Sequence, residues 1–225
     1  MSHELRTPLN SIIGFARVLS ANRGERLNGV DLKYVDRIQE NGVKLLGMVE
    51  HVLEFASADA GLSECTMAPT DLGALLEGVM GEFRAQGTRE EVALVTDLGR
   101  DPVPLVLTDA VKFRTVLTHL LGNAVKYTTT GQIAGTVVVE GGTPRRVRLD
   151  ITDTGPGIPA DRFASIMSPF EQGTHGQTRV DAGLGLGLST ARVLCQQLGL
   201  GLSAASTVGQ GTVFSITFGP TVVKG

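Results

Sequence analysis

The sequence Asp153-Thr154-Gly155-Pro156-Gly157-Ile158 directly follows the β-rich run at residues 147–152. A carboxylate therefore leaves a predicted strand at a point where glycines let the backbone turn sharply. Such a carboxylate can accept a hydrogen bond from an exocyclic amine, and glycine leaves room for a flat base beside the backbone. The same residues could form an ordinary loop, so the stretch alone leaves both interpretations open.

The segments on either side of this turn predict helices packed on a sheet. Apolar periodicity predicts helices at 71–83 and 109–127, and strands at 92–98, 133–139, 147–152 and 212–218. The last strand places Phe214, Ile216 and Phe218 on one face of the sheet. The predicted architecture of this part of the chain is an α/β sandwich.

The predicted helix at 109–127 places His119, Asn123 and Lys126 on roughly one face, because they are four and three residues apart. An amide oxygen can complete the shell of Mg²⁺, and a lysine can neutralise phosphate charge. An ordinary polar helix face would explain any one of the three residues.

A second glycine run, Gly183-Leu184-Gly185-Leu186-Gly187-Leu188, precedes a predicted helix at 189–198. Free N–H groups and the dipole at a helix N-terminus bind anions. The run lacks the Gly-Lys-Ser/Thr ending of a P-loop, and it has no acidic residue about twenty positions later. A nucleotide fold other than these two is therefore required.

The first sixty residues predict a helical hairpin. Helix one, from Leu5, has an apolar stripe of Leu9, Ile12, Ala16 and Leu19, and helix two has one of Leu32, Val35, Ile38, Leu45, Val49, Val52 and Phe55. Turn residues separate the two stripes at 22–24 and 28–29. Such a hairpin buries its apolar face against another copy or another domain, and a four-helix dimer is the economical solution. We expect a domain boundary near residue 62.

Composition excludes several other functions. The net charge is −3 without a long basic run, which argues against a nucleic-acid partner. No apolar run approaches eighteen residues, so we expect no membrane contact from this cytoplasmic fragment. Cys65 and Cys195 lack metal-ligand spacing. Because Met1 leads directly into the amphipathic segment, we expect helix one to be truncated, with the sensory part and any membrane anchor of the parent protein lying upstream.

Together these segments resemble the catalytic core of sensor histidine kinases. In chain order, Ser2-His3-Glu4-Leu5-Arg6-Thr7-Pro8-Leu9 resembles the H box of these kinases, and Asn123-Ala124-Val125-Lys126-Tyr127-Thr128 resembles their N box. Residues 153–158 resemble the G1 box, Pro169-Phe170-Glu171-Gln172 resembles the F box, and residues 183–188 resemble the G2 box. Gly209-Gln210-Gly211-Thr212 resembles the glycine turn before the last strand. The resemblance implies a dimerisation and phosphoacceptor domain at 1–61 and a GHKL (Bergerat) ATP-binding domain at 62–225, an α+β chain overall.

The resemblance implies that His3 accepts the γ-phosphoryl group of ATP and passes it to a response-regulator receiver domain. A neutral imidazole nitrogen has the lone pair that this attack needs. Glu4 would orient the ring or accept its proton. Thr7 resembles the residue that positions water for dephosphorylating the regulator, so phosphatase activity is also expected.

For the ATP-binding domain the resemblance implies that Asp153 reads adenine, Asn123 holds Mg²⁺, Lys126 contacts phosphate and Tyr127 packs on the base. The other nucleotide-binding residues it implies are Gly155, Gly157, Ile158, Phe170, Gly183, Gly185, Leu186, Gly187 and Thr212. Residues 168–182, including Thr174-His175-Gly176-Gln177, have the polar composition of a lid over ATP, with Phe170 at its base.

One residue departs from the family pattern. His119 stands where many of these kinases have Asn, and where gyrase-type ATPases have a water-activating Glu. His119 could be a ligand of the metal or a tolerated replacement, and the sequence leaves both open.

A catalytically silent signalling scaffold and an ATP-driven clamp are the competing functions. The presence of His3, Asn123 and Asp153 argues against the scaffold, and the H box and missing Glu argue against the clamp.

Overall fold

A computed structural model describes residues 2–22, 26–60, 64–99, 102–140, 146–162, 165–166, 168–169 and 185–219, with the backbone alone at 2–5. The chain forms two compact units, Met1–Ser57 and Ala58–Gly225.

The first unit is a pair of helices, α1 (Ser2–Ser20) and α2 (Gly29–Asp59), the latter ending in the second unit. Asn22 ends the first helix in the left-handed region, with φ 41°, and its side chain bonds both backbone groups of Leu27 at 2.9 and 3.1 Å. Asn28 begins α2, because its Oδ1 accepts the N–H groups of Val30 and Asp31 at 2.8 and 3.0 Å. The predicted hairpin turn thus has one polar side chain, Asn28, that caps α2 and another, Asn22, that closes the turn.

Three contacts fix the hairpin as antiparallel. Ser20 donates a hydrogen bond to Asp36, and Arg6 lies 3.4 Å from Glu50 at the other end. Between them, a Cβ at Gly42 would lie 2.9 Å from Cγ1 of Ile13, so glycine permits close helix packing there.

The interior of this single hairpin differs from the predicted stripe. Leu9, Ile13 and Ala16 are buried, whereas Ile12 and Leu19 are about half exposed. Residues 9, 13 and 16 follow four-and-three spacing as well as 9, 12, 16 and 19 do, so periodicity did not separate the two. Exposed apolar side chains on the hairpin include Phe15, Val18, Val30, Ile38, Leu45 and Met48.

The second unit contains a five-stranded sheet and a two-stranded one. Its elements are β1 (Ala68–Thr70), α3 (Leu72–Gln86), β2 (Val92–Asp97), β3 (Val106–Thr108), α4 (Ala110–Tyr127), β4 (Gly131–Glu140), β5 (Arg146–Asp153), a 3₁₀ turn (Ala160–Arg162), α5 (Gly187–Gln197), β6 (Gly201–Thr207) and β7 (Gly211–Phe218). The large sheet has the order β2-β4-β5-β7-β6, parallel between β2 and β4 and otherwise antiparallel. The small sheet pairs β1 with β3.

The helices pack on one face of the large sheet. Phe113 of α4 meets Phe218 of β7 edge to face, with ring centroids 5.1 Å apart. Along β5 every second residue is buried, namely Val147, Leu149, Ile151 and Asp153. The carboxylate of Asp153 therefore points to the same side of the sheet as the core.

Each helix and strand predicted for the second unit is present, so the predicted fold class is confirmed. The short strands β1 and β3 and the small-residue strand β6 were not predicted. Helix α5 begins at Gly187, two residues before the predicted start. No helix in the described ranges is long and apolar enough to cross a bilayer.

Candidate functional site

Asp153 ends β5 with its carboxyl group almost entirely out of water. The residue is 8% exposed, and the N–H of Gly155 donates to its Oδ1 at 2.9 Å. Burial raises the pKa of the Asp153 carboxyl above its usual range, and backbone hydrogen bonds from Gly155 and Thr212 partly offset that effect. A hydrogen-bond donor on a ligand would therefore meet an acceptor with little competition from solvent.

The turn after Asp153 is held by β6. Gly157 has φ +70°, and a Cβ there would lie 2.2 Å from the carbonyl oxygen of Thr207. The N–H of Ile158 donates to Ser206 Oγ at 2.8 Å. Only glycine fits at 157, and this packing fixes the path of the loop beside the carboxylate.

The start of β7 closes the site from the other side. Gly211 has φ +113°, and a Cβ there would lie 1.9 Å from the carbonyl oxygen of Asp153. Thr212 pairs with Asp153 in the ladder, and its hydroxyl shares a hydrogen bond with Ser206 Oγ at 2.9 Å. Ser206 joins the loop to β7, and sequence reasoning missed it because its strand carries no strong pattern.

The C-terminal end of α4 borders the same turn. A Cβ at Gly155 would lie 2.8 Å from Asp153 Oδ1, 3.4 Å from the carbonyl oxygen of Tyr127 and 3.5 Å from Thr128 Oγ1. The Nζ of Lys126 is 5.0 Å from the centre of the Tyr127 ring, and Tyr127 is 37% exposed. The N-box segment and the G1 segment are therefore neighbours.

Nearer the middle of α4, His119 lies against the start of α5. A Cβ at Gly187 would be 3.4 Å from His119 Nδ1, so the glycine lets the two helices approach. Gly185 has φ +70°, and the buried Leu186 caps α5 without a side-chain hydrogen bond. Asn123 is half-buried and follows His119 by one turn of α4.

Several predicted site residues lie outside the described part of the chain. These are Phe170 and Gly183, the F-box and lid residues from 170 onward, and the side chains of His3 and Glu4. Thr7 is exposed on α1, and its carbonyl oxygen accepts from Ser11 Oγ at 3.0 Å. Within the described ranges no three His, Cys, Asp or Glu side chains cluster as a metal site.

Comparison with known families explains this arrangement. Residues 108–221 match the family described as histidine kinase-, DNA gyrase B-, and HSP90-like ATPase, and residues 1–61 match the His Kinase A (phospho-acceptor) domain. The chain belongs to the sensor histidine kinases. The predicted family of this kinase core is confirmed.

Curated sensor kinases are similar over nearly all of the kinase core. Sensor protein GacS of Pseudomonas syringae pv. syringae is 31% identical over 220 residues, covering 96% of this chain and 24% of GacS. Sensor histidine kinase AruS of Pseudomonas aeruginosa is 36% identical over 219 residues, covering 95% of this chain and 21% of AruS. The kinase core thus spans about a quarter of the length of these relatives.

Solved structures agree with the fold. The crystal structure of full-length ShkA in complex with AMPPNP has a TM-score of 0.77 and 32% identity, covering 99% of the kinase core and 45% of the ShkA chain. The histidine kinase AdeS of Acinetobacter baumannii, at 22% identity and a TM-score of 0.64, covers 96% of each chain and supports the fold alone.

Proposed function

We propose that this protein autophosphorylates His3 from Mg-ATP and transfers the phosphoryl group to an aspartate of a response-regulator receiver domain. The observation that carries the proposal is the desolvated Asp153 carboxylate, held beside a glycine turn in a chain of the sensor histidine kinase family. We keep the division of labour between residues 1–61 and 62–225 as part of the proposal.

The described residues fit an adenine nucleotide. Asp153 would accept a hydrogen bond from the 6-amino group, and the N–H of Gly155, 2.9 Å from Oδ1, holds the carboxylate in position. Gly157, Ile158 and Thr212 hold that edge in place through the contacts with β6 and β7. Phe170, Gly183, Gly185, Leu186 and Gly187 remain the proposed nucleotide contacts on the lid and α5 sides.

The phosphate end would lie along α4. Asn123 supplies an amide oxygen, which suits Mg²⁺ bound mainly by phosphate oxygens and water, and Lys126 supplies a positive charge for the phosphates. Bound Mg²⁺ would neutralise charge on the phosphates. Tyr127 would pack on the base, and His119, beside the start of α5, remains a candidate for the metal shell.

The transfer itself would use residues of the first unit. A nitrogen of His3 would attack the γ-phosphorus as the bond to the β-γ bridging oxygen breaks, with ADP as leaving group and Glu4 accepting the ring proton. Thr7 would orient a water molecule for a separate reaction, the dephosphorylation of the regulator. Exposed apolar residues of the hairpin support a homodimer through α1 and α2.

Labelling with γ-³²P-ATP tests this function. His3→Ala should abolish incorporation of label yet leave ATP binding intact, and the control His51→Ala, an exposed histidine on α2, should label normally. The product should be lost in acid and survive in alkali, because a phosphoramidate leaves once its nitrogen is protonated. Undiminished labelling of His3→Ala would overturn the acceptor assignment, and nucleotide binding without any labelling would favour the silent scaffold.

A further inference from the structure

The thiol of Cys65, in the segment between α2 and β1, lies against the amine of Lys112 on α4. Lys112 Nζ is 3.2 Å from Cys65 Sγ and 3.1 Å from Gln197 Oε1, and Cys65 Sγ is 3.7 Å from the carbonyl oxygen of Gln197. Cys65 and Lys112 are 47 positions apart in the sequence, so the fold brings the two groups together. A sulfur atom and a side-chain nitrogen are thus held at contact distance beside a shared neighbour, Gln197.

The backbone beside Cys65 is fixed as well. The N–H of Thr66 donates to Asp109 Oδ2 at 2.9 Å. Asp109 Oδ1 in turn accepts from the N–H groups of Val111 and Lys112, at 3.0 Å each. One carboxylate therefore ties the residue after Cys65 to the first turn of α4, which carries Lys112. The approach of the sulfur to the amine is set by the backbone on both sides.

The two cysteines of the chain differ in their access to an oxidant. Cys65 is partly exposed, whereas Cys195 on α5 is 1% exposed. Burial raises the pKa of the Cys195 thiol to about 12, which leaves almost no thiolate at neutral pH. Because peroxide reacts with thiolates that solvent can reach, oxidation should fall on Cys65, the cysteine with an amine beside it.

We propose that Cys65 and Lys112 form a modification site, at which hydrogen peroxide produces a covalent sulfur–nitrogen cross-link. In the first step one peroxide oxygen bonds to Cys65 Sγ and the other leaves as water with the thiol proton, so the sulfur is oxidised to a sulfenic acid and the peroxide is reduced. In the second step the ammonium of Lys112 releases one proton to water, and its nitrogen attacks the sulfur. The S–O bond breaks, and the hydroxyl leaves as water with a second proton from the nitrogen.

The second step has a chemical precedent in the reactions of sulfenic acids. A sulfenic acid condenses with a thiol to a disulfide or with a backbone nitrogen to a sulfenamide. At Cys65 the side-chain nitrogen of Lys112, 3.2 Å from the sulfur, takes the place of that nucleophile. An excess of dithiothreitol should restore the thiol and the amine, because it is itself oxidised to a disulfide. This inference does not rest on the proposed function.

The cross-link would attach the segment that follows α2 to α4, the helix that carries Asn123. It closes a loop between positions 47 apart, which contains α3 and β2. A closed loop lowers the conformational entropy of the unfolded chain. The oxidised protein should therefore melt at a higher temperature than the reduced one, and dithiothreitol should reverse the gain.

Intact-mass spectrometry of the protein treated with hydrogen peroxide tests the site. The wild type should lose about 2 Da, the mass of two hydrogen atoms, whereas a sulfenic acid would add about 16 Da. Peptide mapping without reductant should find residues 65 and 112 in one cross-linked peptide. Lys112→Arg keeps the positive charge without an amine nucleophile. Cys195→Ser is the matched control, because it removes any disulfide between the two cysteines.

Cys195→Ser should lose the same mass as the wild type, while Lys112→Arg should stop at the sulfenic acid, which dimedone traps. A wild type that carries dimedone or higher sulfur oxides at Cys65 without a cross-link overturns the proposal. A loss of about 2 Da in Lys112→Arg also overturns it, because the nitrogen would then belong to another group. The same holds for a loss that disappears in Cys195→Ser, which would mark a disulfide. Lys112→Gln is measured against the same criteria if Lys112→Arg does not fold.

Discussion

Gly155→Ala should weaken nucleotide binding while the protein still folds. Gly155 is not among the described glycines with positive φ, so alanine fits its backbone and only the new Cβ acts. That Cβ would lie 2.8 Å from Asp153 Oδ1. Non-bonded heavy atoms are at their optimum at about 3.5–4.0 Å, so the carboxylate must recede by about 0.7 Å.

A displacement of this size is enough to break the proposed hydrogen bond between Asp153 and the base. The hydrogen bond from the Gly155 N–H to Oδ1 is 2.9 Å long, and hydrogen bonds weaken beyond about 3.2 Å. A hydrogen bond to a charged group contributes about 1.5–3 kcal/mol. Losing the one between Asp153 and the base should therefore raise the Kd for ATP roughly ten- to hundredfold.

Calorimetry with AMPPNP, together with a thermal melt of the unligated protein, measures the two effects separately. The matched control is Gly81→Ala on α3, where no atom lies within 4 Å of the Cβ position. The control should bind nucleotide as the wild type does and gain about 0.5–1 kcal/mol in stability from better helix propensity. A folded Gly155→Ala variant with the wild-type Kd would refute the role of the Gly155 face.

Two further predictions concern the hairpin and the phosphate end. Ile38→Asp should shift a monomer-dimer equilibrium toward monomer in sedimentation experiments, because Ile38 is 51% exposed in one copy and a carboxylate in a helical seam is costly to desolvate. The control Val95→Asp on β2 should leave association unchanged. Equal effects of the two variants would contradict the hairpin interface. Asn123→Asp should weaken Mg-ATP binding but leave adenosine binding unchanged, and calorimetry showing an equal loss for adenosine would contradict a role at the metal end.

The parts of the site that sequence reasoning predicted depend on local rules. The alternation along β5 places Asp153 on the core face, and the glycines at 155 and 157 follow it directly, so a strand, a carboxylate and a turn can be predicted together. The start of α4 was predicted one residue early at Asp109, whose side chain caps the helix by accepting from the N–H groups of Val111 and Lys112.

The parts that were missed depend on contacts between distant residues. Strand β6 consists mostly of small residues, and its pairing with β7, more than any local propensity, makes it a strand. Ser206 matters because it meets Ile158 and Thr212, and no spacing rule connects these three residues.

The position of β7 between β5 and β6 has a consequence for the order of folding. The last described strand of the chain fills an inner place in the sheet, and its first residues, Gly211 and Thr212, contact the Asp153 end of β5. Contacts of such long sequence separation form late, after the local helices and hairpins. During synthesis the proposed base-binding edge therefore stays incomplete until β7 has left the ribosome, and we expect a nascent chain that ends before residue 211 not to bind ATP in the mature manner.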